Sequence, residues 1–390
     1  MNLPMAGIFK VLLTLMILCG ICIGQFAFAG EYEITDLGML DGHIKSEAYD
    51  INDYGQVVGI SYERVGYPGP VYKGHAFLWD NGTMTDLGTL GGDESFAYGI
   101  NDDGQVVGGA ITAGSSIQHA FLWDSRTITD LGTLGGPESY AVAINNLGQI
   151  AGTSNIEEGN YGHIHPFLWD SGTMTDLGDI DGVTHGTWAG DVNDSAQVVG
   201  VGGIENRNHG FLWETATMTN ISSLSDSISS GAYGINNCGE VVGYVYDEIG
   251  GSVMQRVFLL EDDGSMTYLD VPGGRGGSDA YDINDFSEVV GTFVVANGED
   301  WEDHAFLWEN GTMTDLTELL NLESCWASFY PKAINNAGQI VGYANMVGQD
   351  SQHAILLTPT GIIPEPSSVF LFTSGLLGYF WIGRCKKRKI

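Results

Sequence analysis

Hydrophobic and polar positions alternate along most of this chain in short segments separated by Gly, Asn and Asp. In one group of four, the segments are Ala97–Ile100, Gln105–Gly108, His119–Trp123 and Thr127–Leu131, with the turn sequences N-D-D-G and D-S-R between them. A period of two bounded by such residues is typical of half-buried strands joined by tight turns. Helical periodicity is absent from residue 31 to residue 360, so we predict an all-β chain.

The four segments recur as a unit. Its sequence is A-x-x-I-N-[DN]-x-G-[QE]-V-V-G, then a variable gap, then H-A-F-L-W-[DE] and G-T-M-T-D-L-G. The repeat Asn occurs seven times, at Asn52, Asn101, Asn145, Asn193, Asn236, Asn284 and Asn335. Four strands in each repeat of ~40–50 residues are typical of a propeller blade. We name them strand a (A-x-x-I-N), b (Q-V-V-G), c (H-A-F-L-W) and d (M-T-D-L-G).

The seventh copy is split between the two ends of the chain. It has no M-T-D-L-G after His353, and the phrase occurs instead at Ile34–Gly38. A permuted repeat of this kind predicts a closed ring, because an open array would leave a free sheet edge. We therefore predict one seven-bladed β-propeller over residues 31–360, closed by the N-terminal strand pairing into the last blade. Within strand a, bulky Tyr98 and Ile100 alternate with small Ala97 and Gly99, which predicts that a bulky face packs on the small face of the next blade.

Residues 1–29 have the pattern of a secretory signal peptide. Lys10 supplies the positive start, Val11–Ile23 forms the apolar segment, and Ala27 and Ala29 form an A-x-A cleavage signature. We expect cleavage after Ala29 and export of the mature chain.

The C-terminal segment contains three features in a fixed order. Pro364, Glu365 and Pro366 precede the apolar run Val369–Gly383, and a basic end follows. The run is shorter than the ~20 residues that span a bilayer comfortably, and the basic end would stay in the cytoplasm. A plain membrane anchor is one interpretation of this segment.

Residues 363–390 also resemble the PEP-CTERM sorting signal, which has these three parts. The resemblance implies recognition and cleavage by an exosortase, in a Gram-negative bacterium that makes exopolysaccharide. It further implies an inner-membrane intermediate and then release to the cell surface or extracellular matrix.

The repeats resemble the HAF extracellular repeat family over residues 32–358. The His-Ala-Phe triplet begins at His75, His119 and His304, whereas four copies depart from it, at His165-Pro-Phe, His209-Gly-Phe, Arg256-Val-Phe and His353-Ala-Ile. The resemblance implies an extracellular repeat protein and gives no biochemical activity.

Charge and cysteine content narrow the class of protein. The 390 residues include 14 Lys and Arg against 49 Asp and Glu, and six of the basic residues lie in the first ten or last seven positions. Such a surface repels nucleic acid and anionic membranes, so we expect neither as a partner, and membrane contact only through the C-terminal helix before processing. The acids form either a solvated surface or one that gathers cations. Cys238 and Cys325 lie in blades that are not neighbours, so we expect no disulfide framework.

Two sets of polar residues could bind metal. His75, His119, His165, His209, His304 and His353 share one repeat position, and a ring keeps them too far apart to ligate one ion; we expect hydrogen bonds within or between blades instead. The turns that follow Asp50, Asp191 and Asp282 resemble the start of a calcium loop but lack its bidentate acid. Asn and Asp also suit tight turns. We expect no cofactor, with Ca²⁺ at these three turns as the alternative.

Catalytic signatures such as H-E-x-x-H, G-x-S-x-G and a phosphate loop are absent from the sequence. The fifth to seventh copies are irregular and rich in acids, among them Asp279, Glu302 and Asp303. Paired carboxylates could cleave a glycosidic bond, so a polysaccharide-acting glycosidase or lyase stays open, although we expect a non-enzyme.

The b–c and d–a connections vary most and should lie on one face of the ring. Aromatic and acidic candidates for ligand binding occur there: Phe96, Tyr140, Trp188, Tyr330, Trp301, Tyr161, Glu94 and Glu138. These aromatic residues either fill the tops of the blade interfaces or form a polysaccharide or peptide site. We therefore expect a surface or matrix protein acting in adhesion or exopolysaccharide association, with extracellular polysaccharide or surface proteins as partners. A lectin-like propeller is the alternative.

Overall fold

Seven antiparallel sheets form a seven-bladed β-propeller, as the sequence predicts. The structure is a computed structural model and describes residues 27–29, 32–65, 71–157, 160–225, 227–270, 277–297, 300–320, 326–348 and 351–360. The predicted signal peptide before residue 27 and the predicted sorting signal lie outside the described residues. Within the described residues, no helix has the length and apolar character needed to cross a membrane.

Each blade uses its strands in the order a, b, c and d from the centre outward. Blade 1 comprises β3 (Lys45–Ile51), β4 (Val57–Val65), β5 (Val71–Asp80) and β6 (Thr83–Asp86). Blade 2 comprises β7 (Gly91–Ile100), β8 (Val106–Thr112), β9 (Gln118–Asp124) and β10 (Thr127–Gly132). Blade 3 comprises β11 (Ser139–Ile144), β12 (Ile150–Glu157), β13 (Asn160–Asp170) and β14 (Thr173–Asp176). Blade 4 comprises β15 (Thr187–Val192), β16 (Val198–Ile204), β17 (Arg207–Glu214) and β18 (Thr217–Asn220). Blade 5 comprises β19 (Ser229–Ile235), β20 (Val241–Ile249), β21 (Ser252–Leu260) and β22 (Met266–Tyr268). Blade 6 comprises β23 (Ser278–Ile283), β24 (Val289–Asn297), β25 (Asp300–Glu309) and β26 (Thr312–Asp315). Two short helices follow strand d in blades 4 and 6, namely α1 (Ser222–Ser225) and α2 (Leu316–Leu320).

Blade 7 combines the two ends of the described chain. Its strands a to c are β27 (Trp326–Ile334), β28 (Ile340–Met346) and β29 (Gln352–Pro359). Strand d is β2 (Tyr32–Gly38), which pairs antiparallel with β29, and the short β1 (Ala27–Ala29) pairs with β2. The side chains of Ile34 and Leu37 are buried in this arrangement. Cleavage after Ala29 would remove β1 and leave β2 in place.

The hydrophobic core lies between the blades. The Phe of each H-A-F-L-W segment is fully buried. The Ala of each A-x-x-I-N segment is also buried, as are the Val residues of strand b in most copies. Phe121 of blade 2, for example, belongs to one cluster with Val58 and Ala76 of blade 1. A Cβ added at Gly59 in V-V-G would lie 2.0 Å from the carbonyl oxygen of Glu47, so this position admits only glycine. The repeat therefore encodes the inter-blade contact as well as the strand.

Strand a departs from simple alternation in every blade. The register against strand b shifts by one residue at a β-bulge, for example between Ala97 and Gly99. Tyr98 is the extra residue and is partly exposed, whereas Ile100 is buried. The predicted packing of Tyr98 and Ile100 on one common bulky face is therefore wrong, because a bulge re-aims the side chain that it inserts.

Two closed rings of hydrogen bonds join the a–b turns. In each blade, the repeat Asn donates its side-chain N–H to the backbone carbonyl of the repeat Asn in the next blade, at 2.9–3.2 Å. The following residue donates its backbone N–H to the side-chain oxygen of its counterpart in the next blade, at 2.8–2.9 Å. We call the first set the asparagine ring. Asn52 also accepts N–H bonds from Tyr54 and Gln56 of its own turn, so one side chain shapes the turn and joins two blades.

The structure describes one of the two cysteines, Cys238 and Cys325, that the sequence places in the propeller. Cys238 lies in the a–b turn of blade 5 and is disulfide-bonded. Cys325 lies outside the described residues.

Candidate functional site

The innermost strands surround a central channel in layers. Strand a of each blade borders this channel and carries side chains that are partly exposed. The residue before the repeat Ala gives the outer layer, which we call the mouth ring: Glu47, Phe96, Tyr140, Trp188, Gly231, Asp279 and Tyr330. The bulge residue gives the next layer, the bulge ring: Tyr49, Tyr98, Val142, Gly190, Tyr233, Tyr281 and Lys332.

Four of the predicted ligand-binding residues occupy equivalent positions of the mouth ring. Phe96, Tyr140, Trp188 and Tyr330 lie within β7, β11, β15 and β27, and each is partly exposed. The sequence places them just before strand a, whereas the structure places them inside it. The four residues thus occupy equivalent positions of the innermost strands of blades 2, 3, 4 and 7. The ring of Phe96 lies close to Gly74 in strand c of blade 1, and the ring of Tyr330 lies against Tyr343 in strand b of its own blade.

Aromatic contacts hold the mouth and bulge rings together. The rings of Phe96 and Tyr98 are stacked at 6.5 Å between centroids, and Tyr98 meets Tyr49 of blade 1 edge-on at 5.5 Å. On the other side of the channel, Tyr330 stacks on Tyr343 at 5.0 Å. Such pairs favour fixed ring geometries, so the aromatic surface of the mouth is pre-formed.

The two acids of the mouth ring are held in place by donors. Tyr49 donates its hydroxyl to Glu47 at 2.7 Å, and Gln255 donates its side-chain N–H to Asp279 at 2.9 Å. Burial raises the pKa of Asp279, while the hydrogen bond from Gln255 partly opposes that shift. Each carboxylate keeps lone pairs that can accept hydroxyl groups of a ligand.

The other predicted site residues lie outside the mouth ring. Trp301 is 57% exposed on β25, where it pairs with Ala296 in the outer b–c hairpin of blade 6. Glu94 precedes Phe96 in β7, and Glu138 precedes β11; both are partly exposed. The backbone of Tyr161 lies in β13, and its side chain is outside the described residues.

Sequence reasoning missed Glu47, Tyr281 and Lys332 as members of the site, and it considered Asp279 only among the acids that could cleave a glycosidic bond. The available signal was the repeat position itself. The first x of A-x-x-I-N is the bulge residue, and it is Tyr in four copies but Lys332 in the seventh. A bulge cannot be recognised from alternation alone, so the pattern assigned these residues to blade packing.

Below the bulge ring, three buried carboxylates bridge the blades. Asp50 accepts the N–H of Ile51 at 2.8 Å and that of Ile100 in the next blade at 2.8 Å. Asp191 bonds Val192 and Ile235 in this way, and Asp282 bonds Ile283 and Ile334. The three acids thus link three pairs of neighbouring blades, namely 1 with 2, 4 with 5, and 6 with 7.

Burial raises the pKa of all three bridging acids, to about 8 for Asp191 and about 6 for Asp282. The side-chain oxygens of the three acids accept hydrogen bonds from backbone N–H groups of two neighbouring blades. Among the described residues, no group of three or more His, Cys, Asp or Glu side chains is arranged to hold an ion. Beneath the acids, the asparagine ring encloses a polar cavity of ≈160 Å³.

The repeated histidines bond within their own blades. The Nδ1 of His75 lies 2.9 Å from Asp86, and the same His–Asp pair occurs at His119, His165, His304 and His353. In blade 4, His209 faces Asn220 instead, at 3.4 Å. The expected hydrogen-bonding role is confirmed: the c-strand His joins strand d at the outer rim, far from the channel.

Comparisons with known proteins support the fold. No protein-family model matches the chain, and no curated protein sequence matches it. The β-propeller domain of the Trilobed protease from Pyrococcus furiosus, described as having an open velcro topology, aligns with a TM-score of 0.54 at 9% identity over 84% of this chain and 99% of that one. Virginiamycin B lyase from Staphylococcus aureus gives 0.49 at 13% identity over 84% and 99%, and TolB from Acinetobacter baumannii gives 0.41 at 11% over 77% and 79%. The class of this protein is therefore a β-propeller, and likeness at such identities carries no activity.

Proposed function

We propose that this protein is a non-catalytic binding propeller of the cell exterior, whose mouth ring holds a saccharide. The observation that carries the proposal is the set of four partly exposed aromatic residues, Phe96, Tyr140, Trp188 and Tyr330, at equivalent positions of the innermost strands. Sugar rings present apolar faces that stack on aromatic side chains, and small-molecule sites combine such surfaces with a few fixed polar groups. Glu47 and Asp279 supply those polar groups at the edge.

The proposed location follows from the termini. The signal-like residues 1–29 and the sorting-like residues 363–390 support export, a membrane-held intermediate, processing by an exosortase and release to the surface or matrix. After cleavage at Ala29, the propeller would begin with β2 and end after β29, where Tyr32 pairs with Pro359. Both ends therefore lie on the face that carries the a–b and c–d turns, and the mouth ring opens on the opposite face. A chain held by its tail would present the mouth away from the membrane.

A binding role suits the acids of the mouth better than hydrolysis does. Glycosidases use two carboxyl groups on opposite sides of the scissile bond, one of them free to attack or to activate water. Glu47 and Asp279 are instead each engaged by a donor of the protein, from Tyr49 and Gln255. Fixed acceptors of this kind orient hydroxyl groups.

The test is binding of the purified full chain to the extracellular polysaccharide of the source culture, by calorimetry, with Ca²⁺ and then with chelator. We expect saturable binding that weakens about tenfold or more in Trp188→Ala and Tyr140→Ala, as for truncation of a central aromatic contact. Trp301→Ala is the matched control, because it removes an exposed indole away from the channel. Equal loss in Trp301→Ala and none in Trp188→Ala would move the site to the outer hairpin, and loss with chelator would add a metal. No binding in any condition would favour a structural or protein-binding role.

A further inference from the structure

Lys332 has an unusual place for a cation in this acidic chain. It is the bulge residue of blade 7 and projects among the innermost strands of three consecutive blades. Its ammonium lies 5.0 Å from the ring centroid of Tyr281 in blade 6 and 5.7 Å from that of Tyr343 in strand b of its own blade. Glu47 of blade 1 is the acid that acts on it electrostatically. The group therefore sits at the channel, one layer below the mouth ring.

No carboxylate of the described residues pairs with this ammonium. Lys73 forms an ion pair with Asp93, and Arg256 forms one with Asp247. Lys332, in contrast, is held by two aromatic faces, although the chain has 49 acidic residues. Cation–π contacts leave the three N–H donors of an ammonium free to bond other groups. Burial lowers the pKa of Lys332, and the field of Glu47 opposes this shift.

We propose that Lys332 is the anchor for a carboxylate, and that the saccharide of the mouth ring is therefore an acidic one that carries uronate groups. This inference rests on the proposed function and adds the chemical class of the ligand. A sugar ring stacked on Tyr330 would stand above Lys332, because Tyr330 and Lys332 both lie against Tyr343. An exocyclic carboxylate directed into the channel then meets the ammonium. Charge-assisted hydrogen bonds of this kind are stronger than neutral ones.

The acidic surface does not prevent such binding. Glu47 and Asp279 flank the site, and they would face hydroxyl groups while Lys332 takes the carboxylate. Repulsion by the distant acids is screened beyond a Debye length of about 8 Å at physiological ionic strength, so it slows association more than it weakens the contact. The contact between Lys332 and the carboxylate of the ligand therefore determines the preference for an acidic saccharide.

The experiment compares oligogalacturonides with the same oligosaccharides after reduction of their carboxyl groups. Binding to the full chain is measured by calorimetry at physiological salt with chelator, which excludes Ca²⁺ bridging. We expect the acidic form to bind about tenfold tighter than the reduced form. Lys332→Gln should abolish this preference by lowering the affinity for the acidic form to that for the reduced form, whereas Lys332→Arg should retain much of the preference. Thermal unfolding of each variant, followed by circular dichroism, confirms that the propeller is intact.

The failures of the two proposals are distinguishable. Equal affinity of the wild-type chain for both forms, or an acidic preference that survives in Lys332→Gln, overturns the role of Lys332 and leaves the saccharide site standing. Binding that Trp188→Ala does not weaken, or no binding of either form or of the source polysaccharide, overturns the saccharide site and this inference with it. If Lys332→Gln does not fold, Lys332→Arg and the reduced ligand still decide the question.

Discussion

Asn335 donates a side-chain hydrogen bond of 2.9 Å to the backbone carbonyl of Asn52, 283 residues earlier in the chain. This contact is the last link of the asparagine ring and joins blade 7 to blade 1 at the channel. Pairing of β2 with β29 joins the ends of the described chain a second time, at the outer edge of blade 7. The ring is thus closed at the centre by side chains and at the periphery by a sheet. The two closures can be tested separately.

The central closure predicts the effect of Asn335→Ala. The side chain of Asn335 is 4% exposed and bonds Asn52, Gln339 and Ala337, so its loss leaves buried backbone groups without partners. We expect the free energy of unfolding to fall by about 1–3 kcal/mol in urea titrations. Ser195→Ala alters an exposed side chain in an equivalent turn and serves as the control. Equal stability of the two variants would contradict a structural role for the ring.

The peripheral closure predicts the effect of Ile34→Ala. Ile34 is 2% exposed and packs in a cluster with Leu357 and Ile340 of β29 and β28. Truncation should cost about 2–4 kcal/mol, as for other buried aliphatic residues, and Glu33→Ala on the same strand should cost little. Deletion of residues 31–38 should lower the melting temperature further, because it exposes the edge of β29. An unchanged melting temperature on deletion would show that β2 does not hold the ring.

The sequence predicts the propeller well because each unit repeats its strands, turns and core positions seven times. The c–d turns have the expected conformation, with φ of 46° at Asn81 and 85° at Gly82. The candidate site is less predictable. Aromatic residues before the repeat Ala stand out in the sequence, whereas the bulge that inserts Tyr98 and Lys332 into strand a depends on pairing with strand b. The alternation of hydrophobic and polar residues along one strand does not reveal that pairing, so the sequence does not predict the bulge ring.

The repeated histidines predict a pKa difference between two equivalent positions. The hydrogen bond with Asp86 raises the pKa of His75, whereas burial lowers the pKa of His209, which faces Asn220. NMR titration of the imidazole protons should therefore place His75 above His209, and Asp86→Asn should lower the pKa of His75. Because the folded pKa of His75 is raised, this residue stabilises the folded state below about pH 6.5, and that stabilisation is lost as the pH rises through its folded pKa. We expect less than about 1 kcal/mol, because the pair is partly exposed. Identical pKa values at the two positions would contradict the argument.

The buried carboxyl of Asp191 predicts that the propeller becomes less stable as the pH rises. Its folded pKa of about 8 lies above the ordinary aspartate value of about 3.9, so the folded state binds the proton more tightly than the unfolded chain does. The contribution of this group to stability is therefore most favourable below about pH 4 and declines up to about pH 8. Self-repulsion of a chain with a net charge of −35 also grows with pH, so the wild-type profile alone is ambiguous.

Asp191→Asn should flatten the profile between pH 5 and about pH 8, although it loses one bond to Val192 or Ile235. Asp103→Asn changes the net charge equally at an exposed turn and should keep the wild-type slope. Urea unfolding at several pH values measures the three slopes, and equal slopes in the two variants would show that Asp191 does not carry the effect.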